Sequence, residues 1–192
     1  MSMPDRSGHE IRAREILKHV DAINPIVVEV GVYVGDVSQH LLKHRRDLIL
    51  YMVDSWLAVV PDTPYWNTDD QHTRCTQEEM DVYATMASNA VDFAESRAII
   101  LRMDSLVAAD AIKFYGMKPC LIFLDADHSY EGCSADIKAW APLVRAGGYL
   151  GGHDYRNQWF EKFGVTQAVD EFAASIGAQI ETGDDTTWFI KL

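Results

Sequence analysis

The sequence predicts a single α/β domain with a doubly wound sheet of seven strands, mostly parallel with an antiparallel C-terminal strand. From residue 26 to about residue 176, short apolar runs alternate with segments of helical periodicity. This alternation is typical of strand–helix–strand units with right-handed crossovers, which build a parallel sheet. Residues 178–192 instead contain two apolar runs around a turn at 183–185, which predicts that the last strand runs antiparallel to its neighbours.

The first predicted element is an N-terminal helix over about residues 8–24, packed on the domain. Its apolar residues recur at helical spacing up to Ile23, and Asn24-Pro25 ends it before the β-branched run at 26–28. Strands are predicted over residues 26–30, 48–53, 98–102, 120–124, 147–152, 178–182 and 187–191. Helices are predicted over residues 36–45, 77–94, 104–114, 132–145 and 161–176.

Length and composition limit the domain count and the partners. The chain has 192 residues, of which 48% are hydrophobic, and no Pro-, Gly- or Ser-rich stretch divides it. Residues 1–192 are therefore predicted to form one domain. The formal net charge is −12 and the Lys and Arg residues are scattered, so we expect no nucleic-acid partner, because a phosphate backbone would be repelled. A small molecule is the expected partner.

Targeting signals and cysteine spacing indicate the compartment. The segment 1–14 lacks the apolar core of a signal peptide, and no apolar run is long enough to cross a bilayer. We therefore expect a soluble, cytoplasmic protein that does not bind membranes. Cys75, Cys120 and Cys133 show no CxxC spacing and are expected to be free thiols, with Cys120 buried beside the fourth strand.

The turn after the first strand predicts a cofactor site. Gly31 and Gly35 stand at a strand-to-helix turn, where the backbone can approach a ligand and the helix N-terminus offers free N–H groups. The dinucleotide fingerprint requires glycine where Tyr33 stands, so Tyr33 disfavours NAD, FAD and an NAD-dependent oxidoreductase. Asp54, after the second strand, can accept hydrogen bonds from both ribose hydroxyls. Asp104, after the third strand, is placed to meet an adenine edge.

Aromatic residues follow Asp54 in the Pro-bearing stretch 56–66. In this fold class the loops after the strands open over the ligand. Trp56, Tyr65 and Trp66 are therefore predicted to wall the cofactor or the substrate. The alternative is that these side chains pack on the domain itself.

Polar side chains follow the fourth and fifth predicted strands. Asp125 and His128 come after the run LIFL, and His153 and Asp154 come after GGYLGG. Adjacent parallel strands bring these groups to one edge of the sheet, where α/β proteins keep their active sites. Carboxylates and imidazoles there offer metal ligands together with a spare base. The plainer interpretations are that Asp125 and Asp154 cap loops and that His128 caps the next helix or bonds to Asp127.

Taken together, these residues resemble class I S-adenosylmethionine-dependent methyltransferases, and within them the small metal-dependent O-methyltransferases of the catechol and macrocin O-methyltransferase kind. EVGVYVGDVS at 29–38 resembles their first motif, acid-x-Gly-x-Tyr-x-Gly, in which the middle residue is usually tyrosine. FLDADHSYEG at 123–132 and GGYLGGHDY at 147–155 resemble their fourth- and fifth-strand motifs. The resemblance covers residues 26 to about 155 and implies a Rossmann-like sheet.

The resemblance also implies roles for individual residues. Those expected to bind S-adenosylmethionine are Glu29, Gly31, Tyr33, Gly35, Ser38, Asp54, Ser55, Trp56, Asp104, Ser105 and Asp125. A divalent metal, Mg or Mn, is expected on Asp125, His153 and Asp154, and His128 falls at the position of the general base. His153 replaces the usual carboxylate, which shifts the metal preference toward Mn, Fe, Co or Zn. Alternatively, His153 orients Asp154 without touching the metal.

The expected activity is therefore O-methylation of a hydroxyl on a small molecule, a sugar or a catechol-like diol that chelates the metal. The metal lowers the pKa of the hydroxyl and fixes its position. Asp125 and His128 are the expected catalytic residues, and His128 receives the proton. The alternatives are metal-independent transfer with a histidine base and a non-catalytic S-adenosylmethionine-binding protein. The acceptor pocket is expected to be completed by the loop after Asp54 or by the partner subunit of a homo-oligomer.

Overall fold

The computed structural model describes residues 7–192, and it describes the side chains of residues 8–192. The predicted domain 1–192 and the segment 1–14 also include residues 1–6, which lie outside the described residues. Within the described part, seven strands form one sheet, and helices pack on both of its faces. None of the described helices combines the length and the apolar character that crossing a membrane requires.

The strands and helices follow the predicted order. The strands are β1 Ile26–Val30, β2 Ile49–Asp54, β3 Ala98–Arg102, β4 Leu121–Leu124, β5 Tyr149–Gly152, β6 Ile180–Thr182 and β7 Trp188–Lys191. The helices are α1 Ser7–Lys18, α2 Asp36–His44, α3 Gln77–Val91, α4 Ser105–Phe114, α5 Tyr130–Trp140 and α6 Val165–Ile176. Short 3₁₀ turns follow α3 and α5 and precede α3.

The sheet has the order β3-β2-β1-β4-β5-β7-β6. Strands β1 to β5 pair in parallel, whereas β7 runs antiparallel to both β5 and β6. The short turn between β6 and β7 permits only an antiparallel pair, because a parallel pair needs a long crossover. The predicted fold class is confirmed, including the antiparallel last strand.

Two hydrophobic clusters hold the helices against the sheet. Trp140 and Trp188 lie in the cluster under α4, α5 and α6, and Leu41 and Phe123 lie in the cluster under α1, α2 and α3. Strand β4 is buried along its whole length, as expected for a central parallel strand covered on both faces. Cys120 is buried, and all three cysteines are free, as predicted.

The N-terminal helix is shorter than predicted. It ends at Lys18, and the N–H groups of His19 and Val20 bond to carbonyls three residues back, which tightens the last turn. Ile23 has the spacing of a core position but is 76% exposed, and Asn24 has a φ of 52°. The predicted extension to residue 24 is therefore wrong, because Ile23 does not contribute to the apolar face of the helix.

The topology places the predicted site residues at one edge of the sheet. Strands β1, β2, β4 and β5 point in the same direction, so their carboxyl ends lie side by side. The connecting segments that leave this edge are 31–35, 55–76, 125–129 and 153–164. Such an edge, at the point where the strand order reverses, is where doubly wound proteins bind their ligands.

Candidate active site

The turn after β1 packs directly against the end of β4. Gly31 has a φ of 88°, and a Cβ atom added there would overlap the backbone oxygen of Asp125. Gly35 has a φ of 81°, and a Cβ atom there would lie 2.9 Å from the Cα of Ala87 in α3. Both glycines are therefore required by backbone conformation and by space. The predicted cofactor turn and the predicted acid cluster are in contact through Gly31.

We expect Gly31→Ala to destabilise the protein by at least about 3 kcal/mol, because a left-handed alanine is strained and its methyl group overlaps the β4 backbone. Urea unfolding followed by circular dichroism measures the loss. Gly116→Ala is the matched control, since Gly116 also has a positive φ but a Cβ atom added there would meet no other atom within 4 Å. We expect the control to cost about 1 kcal/mol. Equal losses would contradict the overlap.

Glu29 lies beneath this turn, in β1, and is only 3% exposed. The Oγ of Ser38, which is fully buried in α2, donates a hydrogen bond to its carboxylate. Burial raises the pKa of Glu29 to about 8, although the Ser38 hydrogen bond opposes the shift. In this structure Glu29 and Ser38 therefore bond to each other.

The raised pKa of Glu29 predicts a pH-dependent stability. The native carboxyl group stays protonated up to about pH 8, whereas the unfolded one ionises near its ordinary value of 4.5. The native state therefore binds more protons between these values, and the free energy of unfolding falls as the pH rises through this window. Glu29→Gln removes this dependence. We expect the variant to gain ~4 kcal/mol relative to the wild type between pH 4.5 and pH 8 in urea titrations. A stability difference that does not change with pH would contradict the assignment.

Asp54 connects the β1 turn to the end of β2. Its Oδ2 accepts hydrogen bonds from the backbone N–H groups of Val32 at 2.9 Å and Tyr33 at 3.0 Å, and its Oδ1 accepts one from Trp56 at 2.8 Å. An ionised carboxylate has about four acceptor positions, so one remains for a ribose hydroxyl. The ribose-binding role of Asp54 stays a prediction.

The aromatic residues around this turn are mostly internal. Tyr33 has a φ of 54°, and its ring packs between those of His72 and Tyr83, with centroids 4.4 and 4.7 Å away. Trp56 is 1% exposed, and its Nε1 donates to the carbonyl of Tyr33 at 2.8 Å. Trp56 therefore packs within the domain and supports the turn. Trp66 instead lies under the guanidinium of Arg74, 3.8 Å from it.

The residues predicted at the adenine have local hydrogen-bond partners. Asp104 caps α4, since its Oδ1 accepts from the backbone N–H groups of the second and third residues of that helix. The Oγ of Ser105 donates to Asp136 and accepts from Nε1 of Trp140. Ser55 accepts a hydrogen bond from the N–H of Leu57 at 3.3 Å. These contacts account for the orientation of all three side chains, and their contact with a cofactor stays a prediction.

His128 is the centre of the polar cluster at the ends of β4 and β5. Its Nδ1 lies 2.9 Å from Oδ2 of Asp70, and its Nε2 lies 3.3 Å from Oδ1 of Asp125 and 3.0 Å from Oδ2 of Asp154. The ring of Phe163 stacks on the imidazole at 4.5 Å. Both nitrogens of His128 are therefore bonded to acids that come from three different loops.

Asp70 is the partner of His128 that sequence reasoning missed. The loop after β2 carries it to the edge of the sheet, where Tyr65 Oη donates to it at 2.7 Å and His72 Nδ1 lies 3.0 Å away. Ser129, not His128, caps α5, and Asp127 accepts from the N–H of Ser129. The interpretation of His128 as a helix cap or a partner of Asp127 is therefore wrong.

The acids and the imidazole stabilise each other's charged forms. Burial opposes protonation of His128, but its hydrogen bonds to Asp125, Asp154 and Asp70 raise its pKa well above the ordinary value. Burial likewise opposes ionisation of Asp125, but Arg12 and the neighbouring histidines lower its pKa to about 2. The pKa values of Asp70 and Asp154 are also lowered, against burial, chiefly by their hydrogen bonds to histidine. The cluster is therefore built to hold positive charge.

His153 is placed beside Asp154 and turned toward Arg12 of α1. Its Nδ1 lies 3.0 Å from Oδ2 of Asp154 and 3.7 Å from Oδ1 of Asp125, and its Nε2 lies 2.8 Å from Nη2 of Arg12. Burial opposes protonation of His153, but the nearby carboxylates raise its pKa to about 9. The contact with Arg12 nevertheless requires a bare Nε2, because a guanidinium can only donate. In this structure the contact with Arg12 outweighs the carboxylates' preference for the charged form, so we assign a neutral His153 whose proton lies on Nδ1 and is donated to Asp154.

One group of side chains among the described residues has the spacing of a metal site. Ligand atoms of Asp125, His128 and Asp154 all lie within 4.8 Å of one another. The donor set fits a divalent ion, because the ion would take the place of the Nε2 proton that faces the two carboxylates, while Nδ1 keeps its hydrogen bond to Asp70. Two carboxylates and one imidazole suit Mn, Fe, Co or Zn better than Mg. The group differs from the predicted set in one member, since His128 takes the place of His153.

A family model and several solved structures are similar to this chain. A family model described as Methyltransferase domain matches residues 28–155, whereas no curated protein matches the chain. Among solved structures, calicheamicin methyltransferase CalS11 is similar with a TM-score of 0.71 and 11% identity over 95% of this chain and 77% of that one. A putative caffeoyl-CoA O-methyltransferase from Staphylococcus aureus is similar with a TM-score of 0.64 and 15% identity over 100% and 86%. The O-methyltransferase NovP has a TM-score of 0.63 and 18% identity over 96% and 79%.

The structural similarities, all well below 25% identity, concern the fold. The family match spans both the glycine turn after β1 and the polar cluster after β4 and β5, and it ends at the residue that follows Asp154. The chain therefore belongs to the methyltransferase domain family, and it is a class I S-adenosylmethionine-dependent methyltransferase.

Proposed function

We propose that this methyltransferase transfers the methyl group to a hydroxyl oxygen of a small molecule, a sugar or a catechol-like diol, with the help of a divalent ion. The observation that carries the proposal is the position of His128, which Asp70 fixes at Nδ1 while Nε2 faces Asp125 and Asp154. This cluster adjoins the glycine turn through the contact of Gly31 with the backbone of Asp125. Cofactor and acceptor would therefore lie side by side.

The acids and the imidazole would hold the ion through Asp125, His128 and Asp154. A bound divalent ion lowers the pKa of a coordinated hydroxyl and fixes its position. With an ion in place of the Nε2 proton, the hydrogen bond from Nδ1 to Asp70 would fix the tautomer and the orientation of His128. Phe163 covers one face of the imidazole and keeps water from it. Each of these residues acts on position or charge at the hydroxyl, which must lie in line with the S–CH₃ bond.

The cofactor side of the proposal uses the residues at the ends of β1, β2 and β3. We propose that S-adenosylmethionine is bordered by Gly31, Tyr33, Gly35, Asp54, Ser55, Asp104, Ser105 and Asp125, while the buried Glu29, Ser38 and Trp56 support the turn from within the domain. Gly31 and Asp54 have the strongest support, because Gly31 has no Cβ in the turn and Asp54 retains an acceptor position at the end of β2. The loop after β2 also brings Asp70 and Tyr65 to the edge, which supports completion of the acceptor pocket by that loop.

The class of acceptor is proposed from the ligands in the polar cluster and from the descriptions of similar solved structures. One CalS11 structure is described as a TDP-rhamnose 3'-O-methyltransferase, and another neighbour as a putative caffeoyl-CoA O-methyltransferase. Both descriptions name O-methyltransferases, one for TDP-rhamnose and one for caffeoyl-CoA, and they support an oxygen acceptor. A vicinal diol on either scaffold could chelate an ion at the cluster.

A second candidate is metal-independent transfer with His128 as the base. The pairing of Asp70 with Nδ1 of His128 favours it, since this arrangement orients a neutral imidazole and stabilises the imidazolium that forms. His128 cannot both ligate an ion and accept a proton through Nε2. Nε2 of His128 can therefore serve only one of the two mechanisms.

Methyl transfer from S-adenosylmethionine to catechols and to deoxysugar diols, measured as S-adenosylhomocysteine formed, tests the proposal. We expect turnover that chelator removes and Mn²⁺ restores. Full turnover in chelator would favour the histidine base. S-adenosylmethionine binding in calorimetry without turnover on any hydroxyl would favour a non-catalytic binding protein.

A further inference from the structure

Arg12 extends from α1 into the acid cluster, although it lies outside residues 28–155, which the family model matches. Its Nη1 lies 2.5 Å from Oδ2 of Asp125, its Nη2 lies 2.8 Å from Nε2 of His153, and its Nε lies 3.0 Å from Oδ2 of Asp185. The side chain is 13% exposed. The guanidinium therefore contacts the ends of β4 and β5 and the turn between β6 and β7 at once.

The first consequence concerns Asp125. Arg12 occupies Oδ2 of this carboxylate, and Oδ1 faces His128 and His153. Bidentate coordination by Asp125 would place the ion directly beside the guanidinium, which the repulsion between the two positive charges opposes. While Arg12 is in place, we therefore expect Asp125 to offer only Oδ1 to an ion.

The second consequence concerns His153. Its Nε2 accepts from Arg12 and lies 3.2 Å from Oγ1 of Thr186, while its Nδ1 donates to Asp154. Neither nitrogen retains a free lone pair, and a ligand nitrogen needs one. Arg12 thus keeps the second imidazole of the cluster out of any metal shell.

We propose that Arg12 is an internal cation that competes with a divalent ion for this edge and sets which residues bind it. The inference rests on the proposed metal-assisted function. With Arg12 present, the shell is limited to Asp125 Oδ1, His128 Nε2 and Asp154 Oδ2, and the ion is held weakly because a positive charge stands beside it. Without Arg12, Asp125 can offer its second oxygen. The proton of His153 can then move to Nε2, which frees Nδ1, the nitrogen nearer Asp125 and Asp154, as a fourth ligand.

Binding of Mn²⁺ alone to the whole chain, by calorimetry and by the electron paramagnetic resonance signal of the free ion, tests the proposal. We expect Arg12→Gln to bind Mn²⁺ at least tenfold more tightly than the wild type. The gain for Mg²⁺ should be smaller, because an added imidazole favours the transition metals. Arg14→Gln is the matched control, since Arg14 is exposed on the same helix and the substitution removes the same charge; we expect less than a twofold change.

A second substitution distinguishes the loss of the Arg12 hydrogen bonds from the loss of its positive charge. Arg12→Lys keeps the charge, but a single ammonium cannot contact Asp125 and His153 in the manner of the guanidinium, so we expect about threefold tighter binding. His153→Ala should weaken Mn²⁺ binding at least tenfold in the Arg12→Gln background and much less in the wild type. Circular dichroism and the melting temperature check the fold of each variant.

The outcomes separate this inference from the proposed function. If the wild type transfers methyl groups in a Mn²⁺-dependent manner but Arg12→Gln binds Mn²⁺ no more tightly, the role of Arg12 is overturned and the proposed function stands. Equal losses from His153→Ala in both backgrounds would likewise overturn it. If neither protein binds Mn²⁺, Arg12 is not a competitor and the metal-assisted route fails with it.

Discussion

Replacing Asp125 with asparagine is expected to lower kcat/KM for methyl transfer at least a thousandfold. The amide has nearly the same shape but carries no charge, and Asp125 is the carboxylate on which Arg12 and His128 converge. Its pKa is lowered to about 2, so it is fully ionised at neutral pH. Losing this charge replaces an anionic ligand for the ion with a neutral, weaker one, and it removes one of the negative charges that face His128.

Stability and cofactor binding of the variant show whether the loss of turnover comes from catalysis or from folding. The Asp125→Asn substitution would leave the Arg12 guanidinium with Asp185 as its remaining carboxylate partner at hydrogen-bond distance, so we also expect a stability loss of about 2 kcal/mol. Calorimetric titration with S-adenosylmethionine should show less than a tenfold change, because the substitution keeps the backbone that contacts Gly31. Asp110→Asn, an exposed position on α4, is the control and should retain full turnover. Unchanged turnover of Asp125→Asn in chelator would exclude the metal-assisted mechanism.

The fold could be predicted because its signals are local. Each strand of the parallel sheet is a short apolar run, and each is followed by a turn that a glycine, an acid or a proline marks in the sequence. The antiparallel end follows from the shortness of the turn at 183–187. The error at α1 has the same origin, since Ile23 fits the helical spacing and only its tertiary position, exposed to solvent, shows that the helix has already ended.

The site could be predicted only where a strand end identified it. Asp125, His128, His153 and Asp154 were predicted to meet at one edge, and the structure brings them together. The pairing of Arg12 with Asp125 spans 113 positions of the chain. No periodicity or spacing in a single sequence records such a contact.

Asp70 was missed for a related reason. It stands 58 positions before His128, in a loop whose polar composition is typical of a solvated surface. Tyr65 and His72, from the same loop, also bond to the carboxylate of Asp70. These bonds hold the loop together where it lies at the edge of the sheet. The burial of Asp70 and its contact with His128 are thus tertiary features, and the residues around it in the sequence do not predict them.

The pairing of Asp70 with His128 leads to the second large expected effect. His128→Gln should lower kcat about a thousandfold, because Nε2 is the nitrogen that faces both Asp125 and Asp154, whether it binds an ion or accepts a proton. Asp70→Asn should lower kcat about 30-fold, since it acts only by orienting the imidazole and raising its pKa. Steady-state kinetics over the pH range measures both.

The double variant distinguishes a positioning role for Asp70 from a general contribution to folding. If Asp70 acts through His128, the double variant should be no slower than His128→Gln alone, because the group that Asp70 orients is already gone. Asp70→Asn alone should also move the acidic limb of the kcat/KM profile to lower pH, because the imidazole loses a partner that raises its pKa. Tyr65→Phe, which removes another hydrogen bond to the same carboxylate, should move the limb little. Additive losses without a shift of the limb would instead assign Asp70 to holding the loop.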